Sequence, residues 1–186
     1  MAEHDLKNAM KAYWSDDYDR AFTLFDALSQ QGDERVNFHL GWLYMHGFGT
    51  PQDFTKAKEF FKKFEEQEPG PGIYYLGSLL LKERNLEEAK LAFEKAAQLA
   101  HPSAAYWAYE LNSGYEGSKI DLQKASHFLS MAANLGHTYA KRDMSKQSLR
   151  NAHGLIDWLR AVANYAAVLV VGYWRIIRDH NDIRTR

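Results

Sequence analysis

The feature that most constrains this chain is an internal repeat. Residues 34–64 have the pattern of two amphipathic helices joined by a glycine-containing turn, and weaker copies lie on both sides at a spacing of about 31–36 residues. One such helix pair cannot bury its apolar face alone, so it needs its neighbours. The recurrence therefore predicts an all-α fold of stacked helix pairs, an α-solenoid.

Small residues recur at corresponding positions of the copies. The first-helix markers are Gly41, Gly77 and Ala108, and the second-helix markers are Ala21, Ala57, Ala89 and Ala125. Two helices approach closely only where one of them lacks a bulky side chain. These markers therefore predict tight packing between the paired helices.

The positions of capping and helix-breaking residues predict where the helices begin and end. Helices are expected near residues 3–14, 17–30, 34–46, 54–66, 72–82, 86–99, 103–112, 122–134 and 138–150. Potential N-caps are Asp16, Asp53, Asn85 and Asp121. Glycines expected to leave a helix with positive φ are Gly32, Gly47, Gly70, Gly114 and Gly136.

The central copy also carries a family resemblance. Its matching residues are Leu40, Gly41, Tyr44, Gly47, Gly49, Asp53, Lys56 and Ala57. This pattern resembles the Sel-one-like repeat (SLR), a relative of the tetratricopeptide repeat (TPR). Residues 103–140 form the next best copy, residues 71–104 have a shorter link of plain TPR type, and residues 5–33 look like a degenerate leading unit.

The resemblance implies a right-handed α–α solenoid of about four to five SLR/TPR-like helix hairpins. We expect this repeat domain over residues 1–153, followed by a hydrophobic C-terminal helix and a short basic tail over residues 154–186. The family further implies scaffolding of protein complexes, often around envelope, secretion or signalling machinery. That implication is by analogy with the family.

Composition excludes several other classes of function. The formal net charge of −1 offers no overall basic field for nucleic acid, and the absence of cysteine excludes disulfides and thiolate metal sites. The eight histidines show no metal-ligand spacing. His101 and His137 occupy equivalent repeat positions, which favours a packing or turn role for both. We expect no catalytic site, no metal and no cofactor.

The side chains next to the buried stripe of each first helix are the candidates for binding a partner. Helical periodicity predicts this stripe at Arg35, Phe38, Trp42, Met45 and His46, with counterparts at Tyr74, Ser78, Lys82, Tyr109 and Asn112. Trp, Tyr and Arg often anchor protein interfaces. We expect a concave groove centred on Trp42 and Tyr109, unless these rings serve only to pack the repeats together.

The expected function is a non-catalytic adaptor that holds a protein partner in this groove. An alternative is an accessory role in exopolysaccharide or envelope assembly, in which the aromatic rings stack on carbohydrate or the groove binds a membrane-bound synthase. A hydrolytic role is disfavoured, because the chain lacks a recognisable nucleophile motif and every cysteine.

The C-terminal segment differs from the repeats. Ala161–Trp174 contains no charged residue, so its surface requires a cover: a bilayer, a partner helix or the solenoid itself. The candidate membrane or oligomer residues are Trp158, Tyr165, Val168, Leu169, Val170, Val171, Tyr173 and Trp174. A span would have to extend over residues 155–177 and include charged residues. Spanning, in-plane and protein-packed arrangements, including a homo-oligomer, all stay open.

The expected location is the cytoplasm, with association at the cytoplasmic face of a membrane through this helix. The N-terminus carries early acidic residues and no apolar core run, which does not resemble a secretory signal.

Overall fold

In a computed structural model, residues 2–184 are described as ten α-helices and two short 3₁₀ turns, with no β-strand in that range. The helices are α1 (Ala2–Trp14), α2 (Tyr18–Gln30), α3 (Asn37–His46), α4 (Phe54–Gln67), α5 (Pro69–Lys82), α6 (Leu86–Gln98), α7 (Pro102–Asn112), α8 (Leu122–Asn134), α9 (Thr138–Arg150) and α10 (Leu155–Arg184). The 3₁₀ turns are Glu34–Val36 and Tyr115–Gly117. The side chains of Ala2 and of residues 175–184, within the basic tail, lie outside the described part.

The predicted helix boundaries agree with the structure to within a few residues, with two local corrections. Asp17, and not Asp16, caps α2 through its carboxylate, because Asp16 itself takes a left-handed turn conformation with φ of 59°. Gly70 lies inside α5 and not in a link, because the helix begins at Pro69 and not at the expected residue 72.

The aspartate caps repeat in the two copies that resemble SLR most closely. The side chains of Asp53 and Asp121 accept from the amides of Lys56 and Lys124, both at 3.0 Å. The backbone amides of the same two aspartates donate to carbonyl groups in the last turn of the preceding helix. Each aspartate therefore joins the end of one helix to the start of the next.

The two equivalent histidines play the same structural role. Nδ1 of His101 accepts from the Ala104 amide at 3.1 Å, and Nδ1 of His137 accepts from the Ala140 amide at 3.3 Å. Each imidazole therefore caps the helix that follows it, α7 or α9. This confirms the repeated turn role that their spacing predicted.

An aromatic ring from the second helix fills the gap left by the glycine of the first helix. A Cβ placed on Gly41 would lie 2.7 Å from two ring atoms of Phe61, and one on Gly77 would lie 3.0 Å from the ring of Phe93. Both rings are fully buried. The small markers are therefore required by close ring contact, as the sequence predicted.

The second-helix markers are also buried. Four residues further along each second helix stands a buried large side chain, at the same place in every copy: Phe25, Phe61, Phe93 and Leu129. Ala108 takes the glycine position in the copy that has leucine in place of phenylalanine, and it too is buried.

The helix pairs form two compact units. Met1–Leu99 contains the pairs α1/α2, α3/α4 and α5/α6, and Ala100–Arg186 contains α7/α8 and α9/α10. The all-helical repeat fold and the apolar C-terminal helix are thus confirmed. The domain boundary expected at residue 153 rests on composition and stays a prediction.

Helix α10 packs on α9 through one narrow stripe. Ala161 and Gly172 are buried, and Tyr165 and Val168, which lie on the same side of the helix, are half-buried. A Cβ on Gly172 would fall 3.0 Å from the Thr138 methyl group, at the start of α9. The two helices therefore run antiparallel, with the end of the apolar segment beside the beginning of α9.

The turn after α3 supplies a direct test of the fold. Gly49 has φ of 66°, and a Cβ there would overlap the carbonyl oxygen of Tyr18, whereas Gly32 has φ of 82° and nothing near its Cβ position. Gly32→Ala should cost about 1 kcal/mol for the left-handed conformation alone. Gly49→Ala should lower the free energy of unfolding in urea clearly further, because the turn must also move off α2. Equal losses for the two variants would contradict this packing.

Candidate functional site

In the first unit, the first helices of successive pairs meet through an aromatic cluster, which we define as Tyr13, Tyr18, Trp42, His46 and Phe48. The Trp42 ring lies 4.4 Å from His46, 5.4 Å from Tyr13 and 5.4 Å from Phe48 between centroids. Trp42 is half-buried. The indole therefore both packs α3 against α1 and contributes part of the surface.

Phe48 is the most exposed ring of this cluster, with 40 % of its surface accessible. It stacks on Tyr18 at 4.9 Å, with ring planes 13° apart, because the close approach of Gly49 brings the turn onto the start of α2. The sequence analysis placed Gly47 in this turn and did not include Phe48 among the candidate residues. The sequence did offer a signal: Phe48 lies between two turn glycines, outside any helix, so it cannot belong to the buried face of a helix.

A second group of rings joins α3 to α5. Phe38 lies 4.8 Å from Tyr75 and 5.5 Å from Phe64, and Tyr74 lies 5.1 Å from Tyr75 and 5.7 Å from Phe93. The candidates Phe38 and Tyr74 are half-buried. Phe38 therefore packs one helix pair on the next, Tyr74 packs within its own pair, and both contribute only part of their rings to the surface.

The remaining candidates on α5 are polar. The hydroxyl of Ser78 donates to the Tyr74 carbonyl at 3.0 Å, which ties it to its own helix. Lys82 is exposed and lies close enough to His46 for its charge to act on that imidazole. Burial, together with the Lys82 charge, lowers the pKa of His46, so this ring is neutral at pH 7.

Arg35 is held by two carboxylates. Its guanidinium donates to both oxygens of Asp33, at 2.9 and 2.7 Å, and to Glu3 of α1 at 2.8 Å. The paired hydrogen bonds keep the pKa of Asp33 below its usual value. Arg35 therefore links α1 to the turn before α3, at one end of the candidate surface.

Two predicted contact residues are in the core. Met45 is 3 % exposed and Asn112 is fully buried, so neither reaches a partner directly. The Asn112 amide donates to the Ala108 carbonyl, and its backbone carbonyl accepts from the Asp121 amide, both at 2.8 Å. Asn112 holds the α7–α8 link. Helical periodicity predicted that both side chains lie on the surface stripe next to the core, whereas they lie in the core itself.

Tyr109 lies in the second unit, half-buried beside Tyr106 at 5.6 Å. The Tyr106 hydroxyl donates to Asp143 of α9 at 2.8 Å, and burial together with nearby carboxylates raises the pKa of Tyr106. Since Trp42 and Tyr109 belong to different compact units, the groove expected to contain both stays a prediction.

The candidate residues of α10 divide into two groups. Tyr165 and Val168 face α9, whereas the others are exposed: Trp158, Leu169, Val170, Val171, Tyr173 and Trp174. Leu155–Trp174 is long and apolar enough to cross a membrane by length and composition, and only 11 % of its most apolar stretch is buried. It therefore differs from the core helix of a soluble protein, which would be mostly covered.

Within the part of the chain that the structure describes, no three His, Asp or Glu side chains come together as metal ligands do. The site that this geometry offers is an aromatic and partly charged surface. Such a surface can bind another molecule. Its side chains are held by ring contacts and hydrogen bonds that pack the helices together.

The fold and this surface together define a helical repeat protein whose pairs stack through small residues. The Sel1 repeat pattern matches residues 36–68, 71–101 and 101–137, which is more than half of the chain. The chain therefore belongs to the Sel1 repeat family. The leading pair α1/α2 lies outside the three matched repeats, although it is a helix pair in the structure.

Two solved structures share this fold. A Sel1 repeat protein from Oxalobacter formigenes is 22 % identical, with a TM-score of 0.69 over 88 % of this chain and 68 % of that protein. A protective antigen of uropathogenic Escherichia coli strains, displaying an SLR fold, is 21 % identical, with a TM-score of 0.61 over 81 % of this chain and 34 % of the antigen. At these identities the likeness shows the fold. Comparison with curated proteins gives no match.

Members of the Sel1 repeat family are generally non-catalytic scaffolds that bind protein partners. This is a general property of the family. The particular partner and its binding surface are matters of proposal.

The half-buried side chain of His39, which contacts Tyr13 of the aromatic cluster, should make stability depend on pH. His39 stacks on Phe25 at 4.8 Å and meets Tyr13 edge-on at 5.1 Å, and burial lowers its pKa to about 4. The unfolded chain takes up this proton near pH 6.5, before the folded protein does. The contribution of neutral His39 to the free energy of unfolding is therefore complete above pH 6.5 and is lost as the pH falls toward 4.

The loss assigned to His39 between pH 7 and pH 5 is about 2 kcal/mol. His39→Phe should remove that part of the pH dependence, measured as the free energy of urea unfolding at the two pH values. His127→Gln, at an exposed position, serves as the control and should leave the dependence unchanged. An identical pH dependence in His39→Phe and the unchanged protein would show that His39 is not the group responsible.

Proposed function

We propose that this protein is a non-catalytic adaptor that binds a segment of a protein partner on the face formed by α1, α3 and α5. The observation that carries the proposal is the aromatic cluster around Trp42, whose rings are fixed by one another while Phe48 stays 40 % exposed. Aromatic side chains held in one conformation bury a large area with little loss of entropy, which suits an interface anchor.

The surroundings of the cluster suit a peptide segment. Trp14, at the end of α1, is 65 % exposed and contacts Tyr13 of the cluster, which extends the apolar surface. Lys82 supplies a positive charge beside His46. A partner segment with apolar side chains and a nearby carboxylate would complement both features.

The carbohydrate alternative is less well supported by this geometry. A sugar ring stacks on an open aromatic face, whereas Trp42 is surrounded by the rings of Tyr13, Tyr18, His46 and Phe48. The cluster therefore presents ring edges and small gaps, which fit branched and aromatic side chains better. We keep the protein partner as the proposal.

The test begins with the partner captured by the full chain and continues with the dissociation constant of the purified pair. Phe48→Ser and Trp14→Ala change exposed rings and should each weaken binding by about tenfold or more. Leu91→Ala, on α6, removes an apolar side chain outside this face that is about as exposed as Trp14, and it is the control. Its affinity should stay close to that of the unchanged protein.

Circular dichroism melting of each variant separates binding from folding. Unchanged affinity of Phe48→Ser and Trp14→Ala, with folding intact, would contradict the proposed face. A loss in Leu91→Ala alone would place the partner on the opposite helices.

A further inference from the structure

The charges of this nearly neutral chain are segregated along its length. Residues 138–186 carry nine Lys and Arg against four Asp and Glu, a net charge of +5. The preceding 137 residues carry fourteen against twenty, a net charge of −6. An acidic repeat region is therefore followed by a basic region, and such asymmetry is typical of binding to a negatively charged surface.

The exposed side of α10 is a continuous apolar arc. With the stripe from Ala161 to Gly172 turned toward α9, a rotation of 100° per residue leaves an arc of about 180° without any charged or polar amide side chain. Its members are Leu155, Ile156, Trp158, Leu159, Val162, Ala163, Ala166, Ala167, Leu169, Val170, Tyr173 and Trp174. Trp158 and Trp174 stand near its two ends, about 24 Å apart along the helix. Indole rings at the edges of an apolar surface are typical of a lipid interface.

Polar residues border the arc on one side. Asp157, Arg160 and Asn164 share a cavity with the end of α9, and Arg160 is exposed next to the arc. An arginine in this position can lay its stem on the apolar surface while its guanidinium reaches lipid phosphates. The neighbouring helix α9 adds four basic side chains and one acidic side chain: Lys141, Arg142, Asp143, Lys146 and Arg150.

The position of α9 decides between crossing a membrane and lying on it. Thr138 packs beside Gly172, and Asn151 shares a cavity with Ala161, so α9 runs alongside most of the apolar segment. If α10 crossed a bilayer in this arrangement, the five charged residues of α9 would enter the hydrocarbon. With α10 in the plane of the interface, those residues stay among headgroups or in water.

A second copy of the chain is a poorer cover for the arc. Two copies joined through α10 would bring two basic regions together, and like charges across an interface oppose association. Anionic lipid complements both the apolar arc and the charge around it.

We propose that the α9–α10 hairpin docks in the plane of an anionic lipid bilayer surface. The apolar arc of α10 enters the interface, and Arg160 and the basic side chains of α9 contact the headgroups. This docking is independent of the proposed partner face, which lies on other helices.

The first experiment measures co-sedimentation of the full chain with vesicles of phosphatidylglycerol and phosphatidylcholine, and with vesicles of phosphatidylcholine alone. Binding should require the anionic lipid and should fall by about tenfold or more when the salt concentration is raised to about 0.5 M. No sedimentation with either vesicle, or equal binding to both at all salt concentrations, would overturn the proposal.

Matched variants separate the apolar and basic contributions. Val170→Glu places a charge in the arc at a side chain that is 57 % exposed, and it should abolish binding; Gln123→Glu makes the same charge change at an exposed position of α8, outside the α9–α10 hairpin, and should retain most of it. Lys141→Gln/Arg150→Gln should weaken binding by about tenfold or more. Lys58→Gln/Lys62→Gln, on α4, is its control and should bind like the unchanged protein.

A disulfide lock distinguishes lying on the membrane from crossing it. The chain contains no cysteine, and the contact of Thr138 with the Gly172 position allows Thr138→Cys/Gly172→Cys to join α9 to α10. In-plane docking predicts the same vesicle binding in the oxidised and reduced forms. Binding that is lost on oxidation and restored by reduction would mean that α10 leaves α9 to insert, which overturns the proposal.

Light scattering with size-exclusion chromatography tests whether a second copy of the chain covers the apolar arc instead. A monomer that Val170→Glu leaves unchanged agrees with lipid as the occupant. A dimer that dissociates in Val170→Glu, with no vesicle binding, would assign the arc to a second copy instead. Loss of partner binding in Phe48→Ser has no bearing on any of these results, so the two proposals fail separately.

Discussion

The structure depends on a close contact between a residue without a bulky side chain and a large side chain of the paired helix. Gly41 receives the ring of Phe61, and Gly77 receives the ring of Phe93. These contacts let paired helices approach closely enough to exclude water from the rings. In the second unit alanine occupies the position of the glycine and Leu129 the position of the phenylalanine, and both are buried. A slightly larger small residue thus occurs in the copy that has the smaller large residue.

Stacking the pairs has a second consequence, at the surface of the first unit. Rings from successive first helices contact one another: Tyr13 meets Trp42 edge to face, and Phe38 meets Tyr75 at a tilt of 52°. Such rings are only partly buried, so the residues that join the repeats also form a rigid, partly apolar face. The packing that keeps the helix pairs in register therefore also forms this partly apolar surface. This agrees with the general scaffold role of the Sel1 repeat family.

Much of the fold was predictable because it is set by local chemistry. Periodicity, aspartate caps and small-residue markers placed the helices α1–α9 within a few residues, and the equivalence of His101 with His137 predicted a shared packing or turn role, which is helix capping. The candidate surface was harder to predict, since it depends on burial at the level of one side chain. Met45 and Phe48 illustrate this. Met45 was expected at the surface and lies in the core, whereas Phe48 lies in a turn that contacts the start of α2 through Gly49 and is partly exposed. The apolar character of the C-terminal helix could be predicted from the sequence. Which of its sides is covered could not, because that depends on its contact with α9.

The most direct test of the account is a double-mutant cycle between Gly41 and Phe61, measured by urea unfolding. Gly41→Ala alone should destabilise through the clash with the ring, and Phe61→Leu alone through the cavity it leaves. The combined variant copies the alanine and leucine combination of the second unit, so it should be more stable than the sum of the single losses implies, by about 1 kcal/mol or more. Strictly additive losses would show that the two residues do not share one packing space, and the proposed basis of the stacked fold would be wrong.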